Sequence, residues 1–262
     1  MKISIVTPSY NHADFIEETI RSVLAQRGNF ELDYCVIDGG SRDGTLEILQ
    51  KFNDQLCWSS ASDNGQIDAI NKGLQRAIGD VIGWINSDDL LLAGALQRIA
   101  SEFEDPTCMW LHGDCRIVDR TGREIRRTVS AFKRYHAKRY SMSRLLQRNF
   151  ISQMTVFWRR ELLEQVGYLS SDFPLTFDYE FWLRLAKFHS PRYVREQLAA
   201  FRWYDESKSG ANYRQQFDEN LRVAQLHGLK NPASLVWKRL QHSLFAAAYG
   251  TLSRLEHARL IR

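Results

Sequence analysis

Long hydrophobic runs and a strong charge of one sign are both missing from this sequence. Its 262 residues include 35 basic and 31 acidic side chains, and the formal net charge is only +4. No apolar run approaches the roughly 20 residues that span a membrane, and the apolar start at residues 3–6 is too short for a signal peptide. We therefore expect a cytoplasmic globular protein with no nucleic-acid partner, which touches a membrane only peripherally.

Short motifs for zinc, dinucleotides and nucleoside triphosphates are absent as well. The four cysteines are Cys35, Cys57, Cys108 and Cys115, and none has the close paired spacing of a zinc site. Because Cys35 and Cys57 fall in strand-like runs, we expect reduced thiols in the protein core. The patterns GxGxxG and GxxxxGKS do not occur, so a dinucleotide site or a P-loop is a weak interpretation.

Strand-like and helix-like segments alternate through the first hundred residues. Short apolar runs predict strands, and apolar residues three or four positions apart predict helices. The predicted strands are 2–7, 32–37, 55–59 and 81–85, and the predicted helices are 13–26, 45–52, 67–78 and 90–100. This order favours an α/β fold with a mostly parallel central sheet flanked by helices, in which ligands bind beyond the carboxyl ends of the strands.

Polar segments follow all four predicted strands. They read TPSYNH, DGGSRDGT, SDNGQIDAINKG and NSDD in chain order. Each segment taken alone is also typical of a turn, because Asn, Asp, Ser and Gly are common turn residues. Turn chemistry does not explain why all the connections at this edge are rich in acids and amides, so we predict one shared binding site there.

Two adjacent acids, Asp88 and Asp89, follow the fourth predicted strand. Neighbouring carboxylates repel each other, and a strand end is partly shielded from water. The pair therefore needs a counter-charge, donor hydrogen bonds or exposure in a turn. The simplest interpretation is a turn or a helix cap, since residues 90–100 have a helical pattern. The shared site at this edge of the sheet favours the counter-charge instead.

Taken together, these segments resemble a known enzyme family. VTPSYN, IDGGSRDGT, SDNGQIDAINKGLQRAIGDVIGWINSDD and FDYEFWLRLA are similar, in order and spacing, to family 2 glycosyltransferases of the GT-A fold from bacterial surface-polysaccharide biosynthesis. The resemblance covers residues 1–205. It implies a catalytic domain at 1–210, with a Rossmann-like nucleotide-sugar half at 1–115 and an acceptor and catalytic-base half at 116–210. A helical extension at 211–262 would follow.

The resemblance also implies a reaction and its participants. The donor would be a nucleotide-diphosphate sugar, with UDP as the expected nucleotide, and a hexosyl group would be transferred with inversion. The acceptor would be a hydroxyl of a glycan or of a polyprenyl-diphosphate-linked sugar. The cofactor would be Mn²⁺ or Mg²⁺, and the enzyme would work in the cytoplasm or at the cytoplasmic face of the inner membrane.

Individual residues receive roles from the same resemblance. The nucleotide is expected at Thr7, Pro8, Tyr10, Asn11, Asp38, Asp63, Asn71, Lys72 and Asp88. The metal is expected at Asp88 and Asp89. Asp178, close to the start of a predicted helix, is the implied catalytic base, since inverting transfer needs a group that accepts the acceptor's proton. Candidates for contact with the acceptor or the donor sugar are Asn86, Gln153, Glu180 and Arg202.

Two positions depart from the family pattern. Asn86 stands at the first acidic position of the family's DxD triplet, which reads Asn86, Ser87 and Asp88 in this chain. A hard cation that bridges a diphosphate needs only one or two protein carboxylates, so this change is compatible with metal binding. Tyr204 stands where many relatives carry a histidine that completes the metal site. We therefore expect Asp205 or water to take its place, or a more loosely held metal.

The second half contains a basic segment and a helical tail. Residues 116–148 are rich in Lys and Arg, which is typical of a solvated face but would also suit anionic lipid headgroups or a polyprenyl-diphosphate acceptor. Residues 213–227 and 233–262 are predicted helices, the second beginning at Pro232. The apolar stripe of the second helix favours a core or dimer face over a membrane-surface helix. The oligomeric state stays open.

Two other functions compete with the glycosyltransferase. A sugar-1-phosphate nucleotidyltransferase would share the fold and the metal, but its first loop should be rich in Gly and carry Arg or Lys, unlike TPSYNH. A catalytically inactive module that binds a sugar nucleotide or a glycan should have lost an acid at the metal or base position. Asp88, Asp89 and Asp178 are all present, which favours an active enzyme.

Overall fold

The strands of this protein form one mixed sheet. The computed structural model describes residues 1–204 and 213–242. The strands within them are β1 (Lys2–Ser9), β2 (Glu31–Asp38), β3 (Cys57–Ser60), β4 (Val81–Trp84), β5 (Leu90–Leu91), β6 (Trp110–Val118), β7 (Glu124–Ile125), β8 (Phe157–Arg159) and β9 (Arg192–Arg202). Their order across the sheet is β3-β2-β1-β4-β8-β6-β9-β5, and β7 pairs with β6 at the side.

Helices cover both faces of this sheet. They are α1 (Ile16–Leu24), α2 (Thr45–Gln50), α3 (Gln66–Arg76), α4 (Ala95–Phe103), α5 (Arg127–Ala137), α6 (Met142–Gln147), α7 (Leu162–Val166), α8 (Phe177–Phe188) and α9 (Tyr213–Leu226). A 3-10 turn lies at Gln153–Thr155, and a further helix occupies 232–242. The residues 243–262 of the predicted tail lie outside the described part of the chain.

The first half is the predicted alternation of strands and helices. Strands β3, β2, β1 and β4 are parallel neighbours, so their carboxyl ends meet at one edge of the sheet. Alternate side chains of β1 face opposite sides: Ile3 and Ile5 pack under α1, while Val6 packs under α3. Helix α3 comes unusually close to the strand, because a Cβ on Gly73 would lie 2.2 Å from Val6 Cγ1.

The second half adds antiparallel pairs to the sheet and corrects one sequence expectation. Strand β8 runs antiparallel to both β4 and β6, and β5 runs antiparallel to β9, while β6 and β9 are parallel. The predicted helix at 90–100 is wrong at its start, because Leu90 and Leu91 form β5 and pair with Ala200 and Ala199 of β9. Pairing to a distant strand outweighs the local helical pattern, and α4 begins only after Gly94, whose φ of 79° is left-handed.

A cluster of aromatic side chains joins the two halves beneath the carboxyl edge of β4. Trp84 stacks on Trp182 of α8 with ring centroids 5.3 Å apart and planes 18° apart. Trp158 of β8 and Trp110 of β6 pack around the same pair. Each such aromatic contact contributes about 0.5–1.5 kcal/mol beyond the burial of its area. The end of β4 and the start of α8 are therefore held in a fixed relation.

The C-terminal helices fasten to the second half. Glu219 of α9 accepts hydrogen bonds from Leu175 N at 2.8 Å and from Thr176 Oγ1 at 3.2 Å, just before α8. In the helix at 232–242, Val236 and Leu240 of the predicted apolar stripe are 56% and 53% exposed, so they are not part of the core. That helix instead turns Lys238 inwards, where its Nζ donates hydrogen bonds to Leu146 O of α6 at 2.9 Å and to the hydroxyl of Tyr179 of α8 at 3.4 Å.

The burial pattern corrects one further expectation. All four cysteines are free, but Cys57 is exposed because β3 is the edge strand, so the expectation of a core thiol is wrong for that residue. Within residues 1–204 and 213–242, no helix is long and apolar enough to cross a membrane.

Candidate active site

A cavity of about 690 Å³ opens at the carboxyl edge of the parallel strands. This volume is typical of small-molecule sites. One wall comes from the segments after β1, β2, β3 and β4, and the other from α5, the 3-10 turn, α8 and α9. The lining includes the predicted residues Pro8, Tyr10, Asp63, Asn86, Asp88, Gln153 and Asp178. The structure thus brings the four polar segments and the start of α8 to one place.

The first wall offers a flat ring and a carboxylate. Tyr10 follows β1 and is 62% exposed, so its ring is open to the cavity. Asp63 follows β3 and accepts a hydrogen bond from Gly65 N at 2.8 Å. A ring of this kind can stack on a nucleobase, and a carboxylate can accept from base or ribose donors.

Asp38, also predicted to contact the nucleotide, is turned into the protein. Its carboxylate accepts hydrogen bonds from Gly40 N at 3.0 Å, from Ser41 N at 2.9 Å and from Ser60 Oγ at 2.6 Å. The side chain is buried and is not among the residues that line the cavity. It shapes the loop after β2, because these donors would otherwise be left without partners.

Four other predicted nucleotide residues also lie outside the lining. Thr7 is buried and its hydroxyl pairs with that of Tyr34 at 3.1 Å. Asn11 accepts a hydrogen bond at 2.8 Å from a backbone N–H of the loop after β2. Asn71 binds the backbone of the segment after α7 through both its amide oxygen and its amide nitrogen. Lys72 forms an ion pair with Asp68 at 3.0 Å.

The two adjacent acids point in different directions. Asp88 lines the cavity, whereas Asp89 is fully buried. Asp89 accepts a hydrogen bond from Arg202 N of β9 at 2.9 Å and one from the Asn86 amide at 3.2 Å. Burial, together with the neighbouring charge of Asp88, raises the pKa of Asp89 well above its usual value. The structure therefore gives Asp89 a place inside the protein and leaves Asp88 facing the cavity.

Asn86 anchors this turn through its side-chain amide. It accepts from Gln66 Nε2 at 2.9 Å and donates to Gln153 Oε1 at 3.2 Å as well as to Asp89. Gln153 in turn donates to Trp84 O at 2.7 Å, on the last residue of β4. These contacts fix the turn that presents Asp88, even though Asn86 and Gln153 both reach the cavity surface.

Tyr204 contacts Asp88 directly. Its hydroxyl donates a hydrogen bond to Asp88 Oδ2 at 2.9 Å, and its ring packs against Phe15 with centroids 5.1 Å apart. Burial, followed by the charge of Asp88, raises the pKa of Tyr204 far above its usual value, so the phenol stays neutral and acts as a donor. The sequence identified this position only as the replacement of a histidine.

The carboxylate at this end of the cavity suits a hard divalent cation that is also bound by a substrate. Asp88 supplies one carboxylate to the cavity, and Tyr204 orients it. In the described ranges 1–204 and 213–242, no group of three or more His, Cys, Asp or Glu side chains forms a complete protein metal site. Mg²⁺ and similar cations at diphosphate sites are bound through one or two carboxylates, with phosphates and waters completing the shell.

The second wall contributes Asp178. This residue lies in the first turn of α8 and faces the cavity, where the helix dipole favours the carboxylate form. Lys133 of α5 lines the same wall, and the charge of Asp178 acts to raise the pKa of this lysine. A carboxylate beside an open cavity can accept a proton from a bound hydroxyl.

Glu180 and Arg202 do not face the cavity. Glu180 is buried in ion pairs with Arg184 at 2.9 Å and with His227 at 3.1 Å. Arg202 is buried as well, and its Nη2 donates to Glu18 at 2.5 Å. Neither residue is in the cavity lining, so the structure places them in the support of α8 and β9.

Sequence reasoning missed much of the second wall. Its further lining residues are Ser130, Lys133, Asn149, Ser152, Trp203, Gln216, Phe217 and Asn220. They come from separate elements and form no motif along the chain. Lys133 could be seen only as one charge among many in the segment 116–148.

An α/β sheet with nucleotide-type loops at its carboxyl edge, faced by a carboxylate from a second half, defines a glycosyltransferase domain of the GT-A class. A profile of glycosyl transferase family 2 matches residues 4–167, and the chain belongs to this family. A relative described as an uncharacterized glycosyltransferase of Mycobacterium tuberculosis H37Rv is 28% identical over 208 residues, which cover 76% of this chain and 74% of the relative. Another uncharacterized glycosyltransferase, from Rickettsia typhi, is 24% identical over 207 residues, which cover 78% of this chain and 64% of the relative.

Solved structures support the fold. S. aureus TarS in complex with UDP-GlcNAc superposes with a TM-score of 0.68 at 20% identity, covering 91% of this chain and 69% of that one. A Pyrobaculum calidifontis mannosyltransferase in complex with GDP-Man and Mn²⁺ gives a TM-score of 0.62 at 19% identity, covering 99% of this chain and 80% of the mannosyltransferase. This chain spans only 41% of the longer TarS chain.

Proposed function

We propose that this protein transfers a sugar from a nucleotide-diphosphate sugar to a hydroxyl group of a glycan or a lipid-linked acceptor, with inversion at the anomeric carbon. The observation that carries the proposal is the placement of Asp88 and Asp178 on opposite walls of one cavity. Family membership supports the reaction class, and the aromatic cluster beneath β4 and α8 supports a fixed distance between the two acids.

The donor would lie along the first wall. The ring of Tyr10 would stack on the base, and the carboxylate of Asp63 would accept a hydrogen bond from the base or the ribose. Neighbours of this fold bind UDP-GlcNAc and GDP-Man, which supports a nucleotide-sugar donor. UDP is the nucleotide we expect. Thr7, Asn11 and Asp38 make hydrogen bonds within the protein and would act indirectly, by shaping the loops that hold these two contacts.

Asp88 would hold the cation, Mn²⁺ or Mg²⁺, against the diphosphate. A bound cation supplies stabilisation of the negative charge that develops on the leaving diphosphate. Asp89 would contribute only indirectly, because its carboxylate already accepts hydrogen bonds from the backbone N–H of Arg202 and from the side-chain amide of Asn86.

Asp178 would act as general base. Its carboxylate would take the proton of the acceptor hydroxyl as the hydroxyl oxygen attacks the anomeric carbon, and the bond from that carbon to the diphosphate oxygen would break on the opposite face. Its place in the first turn of α8 would favour the carboxylate form through the helix dipole.

The test separates donor binding from transfer. UDP, GDP and dTDP are titrated calorimetrically with Mn²⁺ and again with a chelator, and UDP release from a panel of UDP-sugars reports turnover. We expect Asp178→Asn to bind UDP as the wild type does while turnover falls by a factor on the order of 10²–10⁴. Asp88→Ala should bind UDP more weakly and lose the difference between Mn²⁺ and chelator.

The matched control is Asp54→Asn, which changes an exposed acid outside the cavity and should leave both readouts unchanged. Full turnover in Asp178→Asn would remove the base assignment. Unaltered metal-dependent UDP binding in Asp88→Ala would remove the metal assignment. Absence of binding by all three nucleotides in the wild type would contradict the proposed function itself.

A further inference from the structure

Some cations of the basic segment 116–148 form surface ion pairs, and Lys133 lies in the wall of the cavity. On and beside α5, Arg127 pairs with Glu124 at 3.1 Å and Arg134 pairs with Asp114 at 2.9 Å. These pairs neutralise only part of the basic segment. Membrane contact through this segment therefore stays a prediction, and Lys133 calls for a separate explanation.

Lys133 reaches the cavity from α5, one turn after Ser130, which lines it too. Its Nζ donates a hydrogen bond to Ser152 Oγ at 3.2 Å. Within residues 1–204 and 213–242, no acidic side chain forms an ion pair with it. An ammonium group has more N–H donors than this single bond uses, so donors remain for a ligand.

Lys133 is a cation in a cavity whose other charged side chains are acids. It is the only Lys or Arg among the described residues that line the cavity, whose acids are Asp63, Asp88 and Asp178. Burial lowers the pKa of Lys133, while the Cys115 thiol and the Asp178 carboxylate act against this change. A partly buried cation without an ion-pair partner is unfavourable, and a ligand that brings a negative charge would remove the penalty.

Two polar atoms without partners lie in the same cavity lining. Ser130 Oγ and Asn149 Oδ1 are buried, and neither has a hydrogen-bond partner among the described residues. Both residues line the cavity, as does Ser152. Buried polar atoms are normally paired, so a polar ligand can complete the bonding here: the Ser130 hydroxyl can donate to an anion, and the Asn149 amide oxygen can accept from a ligand hydroxyl.

We propose that the second wall of the cavity binds one anionic group of a sugar substrate, a carboxylate or a phosphate, with Lys133 as its cation and Ser130, Asn149 and Ser152 around it. This inference rests on the proposed function, because it takes the ligand to be a sugar that takes part in the transfer. Lys133 lies on α5, on the same wall of the cavity as Asp178, whereas Asp88 lies on the first wall. We therefore expect the anionic group on the acceptor or the transferred sugar, with the donor's diphosphate at Asp88.

The experiment compares three probes that share one ring: D-glucose, D-glucuronate and D-glucose 6-phosphate. Each is titrated into the full chain, with and without UDP and Mn²⁺. We expect one of the two anions to bind about 10-fold or more tightly than glucose, since a bond between charged groups supports such a preference. A preference for glucuronate indicates a carboxylate ligand, and a preference for the phosphate ester indicates a phosphate.

Variants of Lys133 decide whether its side chain causes the preference for an anionic sugar over glucose. Lys133→Gln should abolish the preference, and Lys133→Arg should retain most of it because the charge remains. Lys138→Gln is the matched control, since it removes the same charge from an exposed position at the end of the same helix. Thermal unfolding of each variant verifies that it is folded, and the arginine variant supports the conclusion if the glutamine variant does not fold.

Three results would overturn the proposal. The first is a wild type that binds neither anion more tightly than glucose. The second is a preference that survives in Lys133→Gln. The third is a Lys133→Gln variant in which UDP binding weakens along with anion binding, which would place Lys133 at the diphosphate. Failure of the proposed function is distinguishable, because it appears as absent UDP binding in the wild type while the titrations without nucleotide remain readable.

Discussion

Tyr204→Phe isolates one hydrogen bond at the proposed metal site. The substitution removes the hydroxyl that donates to Asp88 Oδ2 at 2.9 Å. It leaves the ring, which packs on Phe15 and lies beneath the guanidinium of Arg120, whose Cζ is 5.2 Å from the ring centroid. Any change in metal binding can therefore be assigned to the hydroxyl and its effect on Asp88.

The expected size follows from the charge on the acceptor. A hydrogen bond to a charged group contributes about 1.5–3 kcal/mol. Since about 1.4 kcal/mol corresponds to a factor of ten, loss of the bond should weaken Mn²⁺ binding to the UDP-loaded protein by about 10- to 100-fold. The effect on folding should be smaller, because Asp88 faces the cavity and water can replace the hydroxyl there.

Free Mn²⁺ measured by electron paramagnetic resonance during titration gives the affinity directly. Tyr168→Phe, at an exposed tyrosine outside the cavity, is the control and should match the wild type. Mn²⁺ binding that is unchanged or tighter in Tyr204→Phe would refute the reasoning, because the hydroxyl would then compete with the cation for Asp88. Tyr204→His should bind Mn²⁺ at least as tightly as the wild type, since imidazole can itself ligate the ion.

Two further predictions concern stability. Trp182→Ala should lower the free energy of unfolding by about 3–5 kcal/mol in urea titrations, because it removes the ring that stacks on Trp84. Trp182→Phe should lower it by less, since it keeps an aromatic ring and the lost indole N–H has no partner among the described residues. Equal losses in the two variants would contradict this reasoning. Burial, with a smaller effect of Arg148, lowers the pKa of Lys238 to about 7. The unfolded chain therefore holds this proton more tightly, and stability should rise between pH 7 and 10 by up to about 1.4 kcal/mol per pH unit. Lys238→Met should lose that slope, and an unchanged slope would show that other groups cause it.

Periodicity and strand order were sufficient to predict that the four polar loops would meet at one edge of the sheet. The apolar runs of β1, β2, β3 and β4 were short and bounded by polar segments, and a helix separated each from the next. Parallel strands must place their carboxyl ends together, so the meeting of four distant loops follows from local pattern alone. Tyr10, Asp63 and Asp88 reach the cavity for this reason.

The direction of each side chain could not be predicted in the same way. Asp38 and Asp63 follow neighbouring strands, yet one is surrounded by backbone donors and the other faces the cavity. The difference depends on which loops fold around each carboxylate, and that is a tertiary property. The same limit applies to β5, whose two leucines pair with a strand a hundred residues away, and to Lys133, whose place is set by the packing of α5 on β6.

The adjacent acids after β4 share one task through a closed chain of contacts. Asp89 accepts the backbone N–H of Arg202 and so fixes the carboxyl end of β9. Tyr204, two residues further on, donates its hydroxyl back to Asp88. In the proposed site, Asp89 would position Asp88 indirectly, through β9 and Tyr204. Burial, together with the charge of Asp88, raises the pKa of Asp89, which favours the neutral form of this buried acid and so reduces its repulsion of Asp88.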